Sequence, residues 1–193
     1  MKRILLAISG ASGAILGVRT LELLRAAQAE THLIVSPAAR RTLAVETGCS
    51  PEQVEALATF CYAYDDIGAR PASGSFAADG MLVVPCSIKT LSAIAHSYAD
   101  NLIVRAADVC LKEGRPLLLA VRETPLHRGH LRLMDLAARA GAVIFPPIPA
   151  FYGGPQTLDD LVTALAGRML LRLGIETDAY PRWGGEASAD AER

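Results

Sequence analysis

The chain has 193 residues, 51% of them apolar and 20% charged, with a formal net charge of -1. That length suits one domain with a full-sized core. The near-zero charge gives no basic face for nucleic acid or an anionic membrane surface. The apolar runs are strand-sized, so no membrane span is expected, and the short run behind Lys2 and Arg3 does not read as a signal peptide. Four cysteines (Cys49, Cys61, Cys86 and Cys110) lack C-x-x-C spacing and read as reduced thiols of a cytoplasmic protein. A positive mean hydropathy points to apolar surface buried between subunits.

Strand-like and helix-like runs alternate along the chain. Ile4–Ser9 reads as strand one, and the turn Gly10-Ala11-Ser12-Gly13 leads into an amphipathic helix over Ala14–Ala29. Thr31–Ser36 is strand two, ended by Pro37, and a helix over Ala38–Thr47 follows. Ser50-Pro51-Glu52-Gln53 carries an N-cap, a proline at the first helical position and an early acid, which start a short helix. Residues 61–80 are polar and glycine-rich and read as a long loop. Met81–Pro85 is strand three. Leu91–Lys112 is helical with a break near Tyr98–Asn101. Pro116–Val121 is strand four, Leu131–Ala140 a helix and Ala142–Phe145 strand five. Leu158–Leu173 is the last helix, stopped by Gly174.

The strands are continuous apolar runs, as strands covered on both faces of a parallel sheet are. The expected fold is therefore α/β: a three-layer, doubly wound parallel sheet, flavodoxin- or Rossmann-like. Residues 1–185 read as one domain and 186–193 as a disordered tail. Ligands of such folds bind beyond the carboxyl ends of the strands, which selects the loops after each strand.

The first loop presents backbone N–H groups at a helix N-terminus, a candidate phosphate cradle. Its spacing, G-x-x-G-x-x-x-G, is neither the dinucleotide fingerprint nor Walker A, and Ser36-Pro37 stands where a dinucleotide fold wants an acid. A mononucleotide held by Ser12, Ser36, Ser87 and Thr90 fits better. The loop Pro85-Cys86-Ser87-Ile88-Lys89-Thr90 offers a second helix N-terminus. Arg122-Glu123 places a phosphate-binding cation beside a carboxyl able to carry protons. Arg168, a cation on a largely apolar helix, reads either as paired with a phosphate or carboxylate or as a surface arginine that snorkels to water. His127 and His130 form H-x-x-H without an evident third ligand, so they read as surface histidines. His32 and His96 offer no constellation, and no metal site is expected.

Taken in order, these loops resemble the flavin prenyltransferase family (UbiX-like) almost end to end. The matching strings are Gly10-Ala11-Ser12-Gly13, Ser36-Pro37-Ala38-Ala39, Pro85–Thr90, Arg105–Val109, Leu111-Lys112-Glu113, Arg122–Leu126, Gly141–Ile144, Pro146–Tyr152 and Pro181-Arg182-Trp183. The resemblance implies one flavin-binding domain and a dodecamer with sites at subunit interfaces. It implies metal-independent transfer of a dimethylallyl group from dimethylallyl phosphate to N5 and C6 of reduced FMN. The product, prenylated FMN, would serve a UbiD-type decarboxylase, often in ubiquinone biosynthesis. By the same resemblance Gly10, Ala11, Ser12, Ser36, Ser87, Ile88, Lys89, Thr90 and Arg122 are FMN ligands. Tyr152, Arg168 and Lys112 are dimethylallyl phosphate ligands. Glu123 is a proton relay, and Ser12, Lys112, Glu46 and Trp183 are further catalytic residues. Gly153-Gly154 departs from the bulkier polar residues of relatives and leaves the stiffness of the Tyr152 loop open. The alternatives are a flavin-dependent decarboxylase, whose His and Asn-rich motifs are missing from the matching loops, and a non-catalytic FMN carrier.

Overall fold

The computed structural model describes residues 1–183; the expected tail at 186–193 lies outside them. Six strands form one parallel sheet in the order β3-β2-β1-β4-β5-β6: β1 (Arg3–Ile8), β2 (Glu30–Val35), β3 (Phe60–Tyr62), β4 (Gly80–Cys86), β5 (Leu117–Val121) and β6 (Val143–Ile144). Seven α-helices cover it: α1 (Ala14–Ala26), α2 (Pro37–Thr47), α3 (Pro51–Glu55), α4 (Ile88–Ala95), α5 (Leu102–Lys112), α6 (Arg128–Arg139) and α7 (Leu158–Arg172).

The continuous apolar strands follow from two cores. Ile4, Leu6 and Ile8 of β1 point into one, with α1 and α7 packed over it. Leu5 and Ala7 point into the other, beneath α4, α5 and α6. Alternate residues on opposite faces must both be apolar when both faces are covered. The result is the expected three-layer, doubly wound α/β fold. Its order reverses between β1 and β4, so the crevice lies above those two strands.

The glycine-rich region at 61–80 departs from the loop reading. Phe60–Tyr62 pairs with β2, His32 facing Phe60, and Arg70–Ala72 makes a 3₁₀ turn. His32 is fully buried there. Its Nδ1 is 2.9 Å from the Tyr62 hydroxyl and its Nε2 2.8 Å from Glu30, so it does belong to a constellation, though one low on the sheet. The Arg3 guanidinium and His32 hold the Glu30 carboxyl down to about 2. Helix boundaries shift by their caps. Ser87 and His127 accept from the amides of Thr90 and Gly129, so α4 and α6 start three residues earlier than the apolar pattern predicts. Gln28, at φ 54°, ends α1 before Ala29. The break between α4 and α5 falls at 96–101, with Asn101 capping α5.

α1 lies close on the sheet because Gly17 has no side chain. A Cβ there would meet the Val84 carbonyl oxygen at 2.7 Å and Ile8 Cδ1 at 2.9 Å. Gly17→Ala is therefore expected to cost about 1–3 kcal/mol by overpacking, read as a lower urea midpoint with unchanged m.

Candidate active site

Parallel pairing brings the ends of β1, β2, β4 and β5 to one edge, with Ile8 beside Val35 and Cys86 beside Val121. The loops holding Gly10–Gly13, Ser36, Ser87–Thr90 and Arg122 therefore converge as expected. Gly10 allows the turn to touch α2, since a Cβ there would meet Ala38 Cβ at 2.3 Å.

The helix N-termini differ in what they hold. The Gly13 and Ala14 amides, read as a phosphate cradle, already donate to the Glu46 carboxylate at 2.8 and 2.9 Å. The α1 terminus thus holds an internal anion, which corrects the cradle reading for those two amides. Desolvation pushes the Glu46 carboxyl up. The Ser12 hydroxyl, the Ala14 and Gly13 amides and the Arg122 charge outweigh it and hold the carboxyl below the usual range. Glu46, Ser12 and Arg122 are thereby one group.

At α4 the donors remain available. The amides of Ile88 and Lys89 have no partner among the described residues, while Thr90 N–H donates to Ser87 Oγ, which donates in turn to Thr90 Oγ1. Two backbone donors at a helix N-terminus, two hydroxyls and the nearby cation suit a phosphorylated ligand such as FMN. Lys89 and Thr90 also line a cleft of about 430 Å³ with Tyr64, His96, Tyr98 and Asn101. The Ser36 hydroxyl is buried and accepts from the Ala39 amide at 3.1 Å. Glu123 is exposed, its carboxylate accepting from the Thr124 amide.

Tyr152, Arg168 and Trp183 form a second cluster on the outer side of α7. The Tyr152 and Trp183 rings meet edge to face at 5.6 Å, and a hollow of about 410 Å³ is lined by Tyr152, Arg168, Glu176, Tyr180, Arg182 and Trp183. Tyr180 had no signal in sequence; it is recognisable only once the chain beyond α7 folds back. Gly153 sits against Pro181, where a Cβ would come within 2.4 Å. Its missing side chain accommodates that packing.

Lys112 stands apart. It ends α5 beside Glu113 and Gly74, at the edge where β5 begins, while Arg122 follows the end of β5. A five-residue strand separates the two by about 15 Å. One chain does not bring Lys112 to the crevice. The His127 and His130 rings lie 3.5 Å apart between centroids, tilted by 33°; no group of three or more His, Cys, Asp or Glu side chains suited to one metal ion occurs among the described residues.

An α/β sheet with a phosphate-suited switch point is common to many nucleotide-binding proteins; the family described as Flavoprotein matches residues 1–170 and makes this chain a flavoprotein. The flavin prenyltransferase UbiX of Salmonella typhimurium is 57% identical over 96% of this chain and 100% of its own length. A solved structure of AnUbiX (PadA1) in complex with FMN and dimethylallyl pyrophosphate superposes with a TM-score of 0.94 at 49% identity, covering 95% of this chain and 98% of that one. The dodecameric FMN-dependent UbiX-like decarboxylase from Escherichia coli O157:H7 gives 0.92 at 46% identity, covering 95% and 100%. The chain belongs to the flavin prenyltransferase family.

Removing the internal anion tests the first group. Glu46→Gln keeps the shape but loses the charge at the α1 terminus, at a cost of about 1 kcal/mol near neutral pH. The Glu46 carboxyl titrates lower folded than unfolded, so its contribution is present above the unfolded value and lost as pH falls through the folded one. Thermal denaturation is expected to show a wild-type advantage at pH 7 that shrinks below about pH 4.3.

Proposed function

We propose that the chain transfers a dimethylallyl group from dimethylallyl phosphate to N5 and then C6 of reduced FMN, in a site completed between copies of a homo-oligomer. The observation that carries this reading is the full-length match to the Salmonella flavin prenyltransferase at 57% identity. The AnUbiX structure, described with FMN and dimethylallyl pyrophosphate, supports the pair of substrates, and the dodecamer of the E. coli relative supports the assembly.

When bound, reduced FMN supplies the nucleophilic N5 and C6 and a π surface. The chain supplies the rest. Gly10, Ala11 and Ser12 form the wall toward the ring, with Ser12 held by Glu46. Ser36, Ser87–Thr90 and Arg122 take the phosphate and ribityl groups. The allylic C–O bond breaks with its electron pair leaving on the donor's phosphate, so developing negative charge needs donors and developing positive charge needs a π face. Tyr152 and Arg168, joined by Lys112 of a neighbouring copy, stabilise the phosphate; Trp183 and Tyr152 add aromatic surface. N5 would give up its proton as it is alkylated, the prenyl double bond would take up a proton to become the electrophile that C6 attacks, and the C6 proton would then be lost. The departed phosphate would accept the one net proton, relayed by Glu123. The enzyme works without a metal.

Residues 1–185 are proposed as a single flavin-binding domain. The four free cysteines agree with a reducing cytoplasm, and no helix among the described residues is long and apolar enough to cross a membrane. The product is assigned to a UbiD-type decarboxylase, with ubiquinone biosynthesis as the setting.

Anaerobic incubation with reduced FMN and dimethylallyl phosphate, followed by mass spectrometry of the flavin, is expected to show a gain of one prenyl unit. Unmodified FMN bound after complete incubation would identify a carrier instead. Arg168→Gln is expected to lower kcat/KM about 100-fold, the scale for losing one preorganised donor; an unchanged value would remove Arg168 from the site.

A further inference from the structure

Residues 176–183 fold back along the outer side of α7, and two glycines admit them. A Cβ on Gly167 would meet Ala179 Cβ at 2.9 Å and the Tyr180 amide nitrogen at 3.1 Å; one on Gly153 would meet Pro181 Cγ at 2.4 Å. The segment seated this way puts Tyr180 against both Tyr152 and Arg168. The Tyr180 hydroxyl hydrogen-bonds that of Tyr152, with the rings edge to face at 6.4 Å. The Arg168 guanidinium carbon lies 5.4 Å from the centroid of the Tyr180 ring, within cation–π reach. Glu176, the carboxylate of the same hollow, is paired with Arg182 at 2.6 Å, so Arg168 keeps its donors for a ligand.

Two hydroxyls that share one hydrogen bond leave one O–H hydrogen over. When Tyr180 donates to the Tyr152 oxygen, the free hydrogen is that of Tyr152, and the bond it receives polarises it as a donor. The shared bond also raises the titration of the Tyr152 phenol, with desolvation adding to it, so the donor stays protonated.

We propose that Tyr180 is a positioning residue for the phosphate of the prenyl donor, aiming the Tyr152 hydroxyl and holding the Arg168 guanidinium beside it as one anion-binding face. This rests on the reading of Tyr152 and Arg168 as phosphate ligands. Gly153 and Gly167 are then part of the same device, because their missing side chains let the strap carrying Tyr180 close.

Trp183 is the only tryptophan of the chain and stands 5.6 Å from Tyr152, so its fluorescence reports on this face. Titration of inorganic phosphate into the assembled protein is expected to change that signal. Tyr180→Phe keeps the ring and loses the hydroxyl; it is expected to weaken phosphate binding about 5-fold, the scale of one hydrogen bond. The value of kcat/KM for dimethylallyl phosphate falls by at least the same factor, because the donor also meets the charge that develops on the departing phosphate. Tyr152→Phe/Tyr180→Phe is no weaker than Tyr152→Phe alone, because both changes remove the same donor. Gly153→Ala, which displaces Pro181 while keeping both tyrosines, weakens binding in the same direction. Wild-type phosphate affinity in Tyr180→Phe, or losses that add in the double variant, overturns the role of Tyr180 alone. A wild-type protein whose Trp183 signal ignores phosphate overturns the reading of Tyr152 and Arg168 on which it rests.

Discussion

One buried hydroxyl ties together the two strands that flank the crevice. Ser9 is 1% exposed at the end of β1. Its Oγ donates to the Pro85 carbonyl at 2.8 Å and accepts from the Ser87 amide at 2.8 Å. The register of β4 against β5 shifts between Val83 and Cys86, so the strand ladder is irregular where these groups lie. A buried peptide group without a partner costs about 1–3 kcal/mol; the Ser9 hydroxyl is the partner of the Ser87 amide and joins the Ser9 amide, at 3.2 Å, on the Pro85 carbonyl. The clamp sits where the strand order reverses, and it fixes the glycine turn against the Ser87–Thr90 loop. Everything that touches a ligand at this edge inherits that spacing.

The same economy explains the turn itself. A helix N-terminus attracts an anion, and here the chain supplies its own through Glu46. The Ser12 hydroxyl, the two amides and the Arg122 charge together favour the ionised form of that carboxylate. A turn occupied in this way presents Ser12 and a charge-balanced wall. The open donors lie at α4, where the amides of Ile88 and Lys89 have no partner among the described residues. The division of labour, a wall at one terminus and an anion seat at the other, suits a phosphorylated ring system better than two equal phosphate cradles would.

Much of this was legible in the sequence because it is local. Alternate residues of Ile4–Ile8 must serve two cores, so a continuous apolar strand announces a covered parallel sheet. Turn glycines, serines before helices and Arg122 after β5 sit where a strand ends, and sheet topology does the gathering. What escaped depends on distant partners. β3 has three residues, and its place comes from His32 and Tyr62 across the pair; polar, glycine-rich neighbours hide it. Glu46 enters through the family resemblance alone; nothing local in the sequence shows that its carboxylate meets the α1 terminus. Tyr180 lies in a polar segment without periodicity, and only the gaps left by Gly153 and Gly167 bring it to Tyr152. The order of strands shows the same effect. The five strands read from sequence run 2-1-3-4-5, the flavodoxin order, and the short edge strand turns this into the Rossmann order 3-2-1-4-5-6.

Two separate clusters and an isolated lysine define the central claim, that the working site is shared between copies. Lys112 lies at the opposite end of β5 from Arg122, and Tyr152, Arg168 and Trp183 gather around a separate, exposed hollow beside α7. The direct measurement is subunit complementation. Lys112→Ala and Arg122→Ala proteins, each inactive alone, are dissociated, mixed and reassembled, and prenylated flavin is quantified. A shared site predicts that activity returns, to about a quarter of wild type in a random equal mixture. Hybrids that remain as inactive as their parents would contradict it, because both residues would then have to serve within one chain.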